Sequence, residues 1–440
     1  MRRLRPQTVY LLYSGAEGFA FRLMATIFSV FLIVELGLDP LQLLLMGTVL
    51  EGTYLLFEIP TGVVADTVSR RLSVVIGLFG SGIAFLLLAW SGSFLWAMVS
   101  QALWGVFATF QSGADIAWLT DEIGEEEARP LYLRSEQVWQ GGALAGVIAS
   151  VILASVNLRL PIALAGLGFC ALGLFMALAM REDGFTKPER SEGEHRRTAF
   201  TATLKDGVGQ VRAHHVLLLI LAVAALHGAS TEGFDRLSDY HLLRDLGLPS
   251  LGDLDPVVWF GILDGVSMVL GIVALSVVKR RAHLEGHAAV AKILMGIDAL
   301  LIVSVVVFGL AGQFWMALLA FWVVGALRTV RDPVFTAWIN QGLDPKTRAT
   351  INSMGSQADA VGQAAGGPVL GLVATKVSTP AALVTSGLLS LPAIGLYIRA
   401  IRRGSVGTLK PEEMESEIRI DEADEIEAEI PEGPHAPSGA

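Results

Sequence analysis

Residues 62–71 read Gly62-Val63-Val64-Ala65-Asp66-Thr67-Val68-Ser69-Arg70-Arg71, a polar, basic hinge between apolar runs at 41–64 and 72–90. Gly62 and Ala65 are small and let two helices approach closely. Asp66, at a helix end, has Arg70 and Arg71 as ionic partners, or meets the N-terminal dipole of a neighbouring helix. The plainer reading is that two arginines beside a membrane only set its orientation.

A membrane-spanning helix needs about 20 mostly apolar residues. Working outward from the hinge, twelve runs qualify: 8–36, 41–64, 72–90, 94–120, 134–156, 159–181, 215–240, 256–278, 288–310, 313–339, 350–375 and 379–400. One or two short runs would pass as core helices of a soluble protein, but twelve in succession do not. The composition agrees. Of 440 residues, 53% are hydrophobic and only 17% charged. With the 47 Gly the apolar share is roughly 64%, against about 45–50% in soluble domains. A soluble protein is excluded, and with Cys170 the one cysteine, so is an internal disulfide scaffold. The expected fold is an all-α polytopic membrane protein with twelve transmembrane helices.

Lys and Arg fix the expected orientation. One set of connections carries Arg2, Arg3, Arg5, Arg70, Arg71, Arg129, Arg134, the 181–214 connector, Lys279, Arg280, Arg281, Lys346, Arg348, Arg399, Arg402 and Arg403. The alternate set carries Arg159, Arg236, Arg244 and Lys376. Both termini are therefore expected in the cytoplasm, with the chain in the cell membrane. Glu17 and Arg22 interrupt the first run, and no cleavable leader is expected. The net charge of −10 is unusual for such a protein, but residues 404–440 hold eleven acids against Lys410 and Arg419. This Glu- and Pro-rich stretch is expected to be a disordered cytoplasmic tail.

The longest internal polar stretch, 182–214, falls between the sixth and seventh runs. It divides the chain into an expected N-terminal six-helix bundle (1–181), a cytoplasmic linker (182–214) and a C-terminal bundle (215–403). The two halves repeat. Ser14-Gly15-Ala16-Glu17-Gly18-Phe19 with Arg22-Leu23 returns as Ala229-Ser230-Thr231-Glu232-Gly233-Phe234 with Arg236-Leu237. At an offset of 220, Gly105, Thr109, Ala117-Trp118, Gln137, Gly142 and Gly146 meet Gly325, Thr329, Ala337-Trp338, Gln357, Gly362 and Gly366. Parallel repeats of this kind belong to transporters that rock two bundles about a midplane site.

With these features in hand, 62–71 resembles the signature loop of the major facilitator superfamily, in its shorter-spaced form. Thr67 and Ser69 depart from the usual basic residue and glycine. Glu58-Ile59-Pro60-Thr61 resembles the end of span two in drug-efflux, proton-antiporter members, and the resemblance covers about 8–403. It implies two pseudo-symmetric six-helix bundles. It also implies a conformational latch of Gly62, Asp66, Arg70 and Arg71, joined by an acid ending span four, for which Asp121 is first and Glu122 second choice. The second half keeps Gly271 and Lys279-Arg280-Arg281 but has Leu275 near the Asp position. Gln101 stands where proton-coupled members often carry Arg, which weakens the antiport inference. Gly141-Gly142 and Gly146 in span five, and Gly362, Gly366-Gly367-Pro368 and Gly371 in span eleven, read equally as flexible gates or as tight packing positions.

Ionisable residues within a span are costly and mark function. The acids are Glu17, Glu51, Glu58, Asp115, Glu232, Asp235, Asp264, Asp298, Asp332 and Asp359; the bases are Arg22, Arg328 and Arg331, with His227 titratable. This acid excess suits cations or protons better than anions. Glu17, then Glu232, then Glu51 are the preferred proton-coupling groups, with Arg22 as counter-charge and Asp235 and His227 as further candidates. A hydrogen-bonded packing role is an equal alternative for each acid. Glu51 and Glu58 share a helix face. Arg328 and Asp332, spaced i, i+4, are expected to pair, and Asp298 is the weakest candidate. Glu58, Asp115, Trp139 and Asp359 are expected at the cavity, whereas Trp118 and Trp338 read as interfacial.

No phosphate loop, metal-ligand cluster or nucleophile motif is present, so neither an enzyme nor a cofactor is expected, and His214-His215 lacks further ligands. The expected function is export of small amphiphilic compounds, cations included, by proton antiport and alternating access in a monomer. Its partners are the small-molecule cargo, protons and the bilayer, with no nucleic acid. The rivals are a transporter of a siderophore, sugar or other metabolite, by uniport in one version, and a non-transporting sensor or scaffold.

Overall fold

A computed structural model describes residues 4–185, 215–281, 286–341 and 345–403. The greater part of the expected linker and the whole acidic tail lie outside these residues. Ten helices are each long and apolar enough to cross a membrane. The other two crossings are Phe94–Gln111 continuing into Ala114–Ile123, and the 32-residue helix Pro345–Lys376. Together they make the twelve spans, arranged as two six-helix bundles.

Local signals explain where the helices begin. Asp39 caps span two (Pro40–Thr67): its side chain accepts from the Gln42 N–H, and the Gln42 side chain accepts from the Asp39 N–H. The 62–71 hinge is tighter than a loop. Span two runs to Thr67, Ser69 caps span three (Arg70–Trp90) by accepting from the Leu72 N–H, and only Val68 and Ser69 intervene. Ser69, which departs from the usual glycine, is thus the cap. Span four breaks at Gly113, whose φ of 72° is left-handed and suits glycine. Span twelve is likewise two helices, Thr379–Leu389 and Leu391–Arg403, with Pro392 in the first turn of the second. Spans one and seven each finish in a π-helical turn, Phe31–Glu35 and His241–Leu246. Span five begins earlier than expected, at Glu125, with three glutamates in its first turn that suit the helix dipole. Arg129 and Arg134 are therefore helical.

The sequence repeat returns as packing. A Cβ built on Gly142 of span five would lie 2.1 Å from the Gly15 carbonyl oxygen of span one. One built on Gly362 of span eleven would lie 2.0 Å from the Ala225 carbonyl oxygen of span seven. Gly105 of span four packs on Thr53 of span two, and Gly325 of span ten on Ser267 of span eight (Val258–Arg281). These glycines are close-approach positions, which favours the packing reading of spans five and eleven over flexible gates. The interfacial reading of Trp118 and Trp338 is corrected: each is 1% exposed, within the core of its own bundle. The Trp118 indole N–H donates to the Arg181 carbonyl, which ties it inside.

The halves meet at the end away from the termini. There Gly367 and Gly371 of span eleven abut Leu44, Thr48 and Leu41 of span two, Gly261 of span eight abuts Val151 of span five, and Arg244 donates to the Ile33 carbonyl. Near the terminal end, a Cβ on Gly62 would meet nothing within 4 Å. The halves thus meet at one end, and toward the other a cavity lies between them, lined by spans two, seven, ten and eleven.

Gly142→Ala and Gly362→Ala should each destabilise the protein by about 1–3 kcal/mol, because the added methyl meets backbone that cannot give way. Gly141→Ala, whose methyl meets nothing within 4 Å, should not. Melting curves of the three variants in detergent check this contrast.

Candidate transport cavity

Between the halves lies a cavity in two connected compartments. The inner one, about 660 Å³, is walled by spans one, two, four, five, seven, eight, ten and eleven and is rich in aromatics: Phe21, Trp104, Trp139 and Phe321. The outer one, about 550 Å³, opens toward the end carrying the termini, with Tyr54, Glu58, Phe335, Asp332 and Asp359 in its wall. Glu51, Arg328 and Gln363 belong to both.

The charges of this wall are matched in a definite way. Arg22 of span one reaches Asp264 of span eight at 3.3 Å, and the Thr26 hydroxyl donates to the same carboxylate oxygen at 2.9 Å. Arg236 donates to Glu232 one turn earlier on span seven (His215–Tyr240) at 3.1 Å. Arg328 of span ten (Phe314–Ile339) grips Asp235 of span seven with both terminal nitrogens, the second at 2.8 Å. Arg331 donates to Asp298 of span nine at 2.7 Å, and Tyr397 of span twelve donates to the other oxygen of that carboxylate at 2.7 Å. Each arginine is thus committed to one acid. Glu51, Glu58, Asp239, Asp332 and Asp359 line the wall and make no ion pair among the described residues. Asp359 accepts a hydrogen bond from Gln363 on its own helix.

Several expectations change. Arg22 is the counter-charge of Asp264 and not of Glu17, whose carboxylate instead accepts from the Trp139 indole at 2.8 Å. Arg328 does not pair with Asp332; both of its terminal nitrogens are engaged by the Asp235 carboxylate on span seven, a bidentate, charge-assisted pair. Arg236 is not an outer-loop residue but a cavity base, since the helix continues past it to Tyr240. Asp239, on the same run and one turn beyond Asp235, is a wall residue that the list of intramembrane acids lacked; the i, i+4 spacing was its signal. Asp298, the weakest candidate, proves to be a fully buried structural ion pair. Glu232 is 1% exposed, its Oε1 pressed against Gly47 of span two and its Oε2 without a hydrogen-bond partner. His227 lines the outer compartment and a side chamber of about 20 Å³ that ends at Asp298, room for about one water. Asp115 lies outside both compartments, at the terminal end of the broken span four.

The hinge also has defined geometry. Arg70 lies 2.7 Å from Asp121 of span four and 3.9 Å from Asp66. The Arg70–Asp121 approach is an ion pair whose N–H is not aimed at the oxygen, so both atoms lack a true hydrogen bond. Arg71 turns away to the Ala177 carbonyl, and Glu182 accepts from the Ser69 hydroxyl and the Arg71 N–H. Glu182, expected to begin the linker, is a member of the hinge. Its signal was its place directly after span six, three residues beyond Ala179.

The sequence model of the Major Facilitator Superfamily matches residues 11–284. The chain belongs to this superfamily. Among relatives, the uncharacterized MFS-type transporter YxaM of Bacillus subtilis (strain 168) is 23% identical over 395 residues, 89% of this chain and 94% of that protein. Solved structures share the architecture. The nucleoside transporter NupG superposes with a TM-score of 0.70 at 12% identity, covering 91% of this chain and 99% of that one. The peptide transporter POT in complex with sulfate gives 0.70 at 16%, covering 90% and 95%. The human organic anion transporter MFSD10 (TETRAN) gives 0.61 at 17%, covering 89% and 99%. The protein is a multi-pass membrane transporter of the superfamily and not an enzyme.

The buried ion pair gives a stability test. Asp298→Asn leaves Arg331 charged and unmatched in the core, and should cost about 3–5 kcal/mol. Tyr397→Phe removes one hydrogen bond to a charge and should cost about 1.5–3 kcal/mol. Denaturant unfolding in micelles measures both.

Proposed function

We propose that this transporter exports small amphiphilic cations in exchange for protons, by alternating access between its two halves. The observation that carries the reading is the charge matching of the cavity wall. Four arginines are each committed to a carboxylate, and five wall carboxylates make no ion pair among the described residues. Such a wall repels anions and attracts cations or protons. The aromatic side chains of the inner compartment offer faces for the apolar body and the charge of such a cargo.

The Lys and Arg excess of one set of connections supports an orientation with the open end and both termini in the cytoplasm of a cell-membrane protein. Cargo then enters from the cytoplasm. Glu51 is the coupling acid we favour over Glu17 and Glu232. It faces both compartments and makes no ion pair among the described residues, whereas Glu17 is held by Trp139 outside the cavity and Glu232 by Arg236. A cation bound at Glu51 and a proton on the same carboxylate exclude each other, which is the requirement for exchange.

An imposed proton gradient, acid inside, should drive accumulation of a cationic dye such as ethidium into proteoliposomes. Glu51→Gln should abolish gradient-driven accumulation and, because the same carboxylate holds the cation, weaken binding of the dye. A cargo flux indifferent to the gradient would sink antiport.

The hinge supports a latch role for Asp66. Its side chain is 69% exposed and 3.9 Å from Arg70, so Asp66→Asn should change stability by no more than about 1 kcal/mol. Transport should fall several-fold nonetheless; wild-type turnover in proteoliposomes would defeat the assignment.

A further inference from the structure

We infer that the cargo carries two cationic centres about 10 Å apart, one held at Glu51 and the other at the mouth of the cavity by Glu58, Asp332 and Asp359. This inference rests on the cation-export reading and narrows its substrate class.

The carboxylates without partners are not gathered in one place. Glu51 and Glu58 lie on one face of span two, seven residues apart, which is about 10 Å along the axis at 1.5 Å per residue. Glu51 stands at the junction of the compartments, whereas Glu58, Asp332 and Asp359 belong to the outer one only. Three elements, spans two, ten and eleven, thus present an acid at the mouth, and none of the three acids makes an ion pair among the described residues. Arg328 and Arg331 are within electrostatic reach of Asp332 and Asp359, but each is already committed to another carboxylate.

A second observation points to a ligand at the inner level. Glu232, in the inner wall with Glu51, is 1% exposed and, although its Oε1 accepts from Arg236, keeps Oε2 without a hydrogen-bond partner among the described residues. A buried acceptor left open is costly unless something satisfies it in the working cycle. Aromatic faces accompany both levels: Tyr54 and Phe335 outside, Trp104 and Trp139 inside. A monocation would satisfy one level and leave the other bare. A molecule with a cationic group at each end and an apolar middle satisfies both, and the two compartments together hold it lengthwise.

The test uses the full chain in detergent and a series of bis-trimethylammonium alkanes with two to ten methylenes, beside a matching monocation with one trimethylammonium group. Binding is read by competition against a fluorescent cation. The expected result is an affinity maximum at six to eight methylenes, at least about tenfold above the monocation. Glu58→Gln with Asp332→Asn should erase most of this advantage while weakening the monocation less than threefold. Glu58→Gln alone serves if the double variant fails to fold. If no chain length outperforms the monocation, the two-centre inference is overturned and cation export stands. Equal loss of mono- and bis-cation binding in the variant would also overturn it, because the mouth would then be a general electrostatic funnel. If neither class binds, the cation reading fails together with the inference.

Discussion

A guanidinium inside a membrane cannot be left without an opposite charge, and most of this cavity follows from that constraint. Four arginines stand within the spans, three in the inner cavity wall and Arg331 buried, and each finds a carboxylate on a chosen element. Those choices decide which spans must lie side by side. Arg331 with Asp298 and Tyr397 joins spans ten, nine and twelve into one block. Arg328 with Asp235 ties span ten to span seven. The acids that remain after this matching are the ones free to meet cargo or protons.

The two halves share their packing but not their charges. Glycine sets the close approach of span one to five and of seven to eleven, at positions related by the repeat, so the scaffold is duplicated. The charged residues break the symmetry. Glu17 and Glu232 occupy equivalent places, yet one is held by an indole and the other by an arginine pressed on Gly47. Span eight supplies Asp264 to the cavity wall, whereas span two supplies Glu51. A duplicated frame with diverged lining keeps the rocking geometry while the cavity acquires a particular chemistry.

The fold was largely legible because the bilayer enforces length, hydropathy and loop charge on every span, and because a two-fold repeat leaves matching residues. In the hinge, Arg70 meets Asp121, the acid the resemblance put first, but Arg71 turns away from it and Glu182 joins without a signal in the loop itself. The pairing inside the cavity was not legible. A helix exposes i, i+4 neighbours to inspection, so Arg328–Asp332 looked natural, but the better partner came from another span. Arg22 with Asp264 spans 242 residues, and no local spacing announces such a contact. Trp118 and Trp338 misled for a related reason: an indole near a span end suits the interface, but here the other helices of its own half cover it.

Arg22–Asp264 is the one ion pair among the described residues that joins the two halves. It lies toward the closed end, and Thr26 reinforces it from the same helix. Opening that end requires spans one and eight to part, which strands a cation and an acid in a newly widened cavity. Water entering from the far side solvates both, and the cost falls as the cavity wets. Under the proposed exchange the same step gives Asp264 a choice between Arg22 and a bound cation. A cationic cargo would then weaken the closed state directly, whereas a neutral one would have no such leverage. A transporter must tie its change of access to what it carries. In this chain the tie need not be a separate switch, because the ion pair that holds the far end shut is built into the wall of the cavity that takes the cargo.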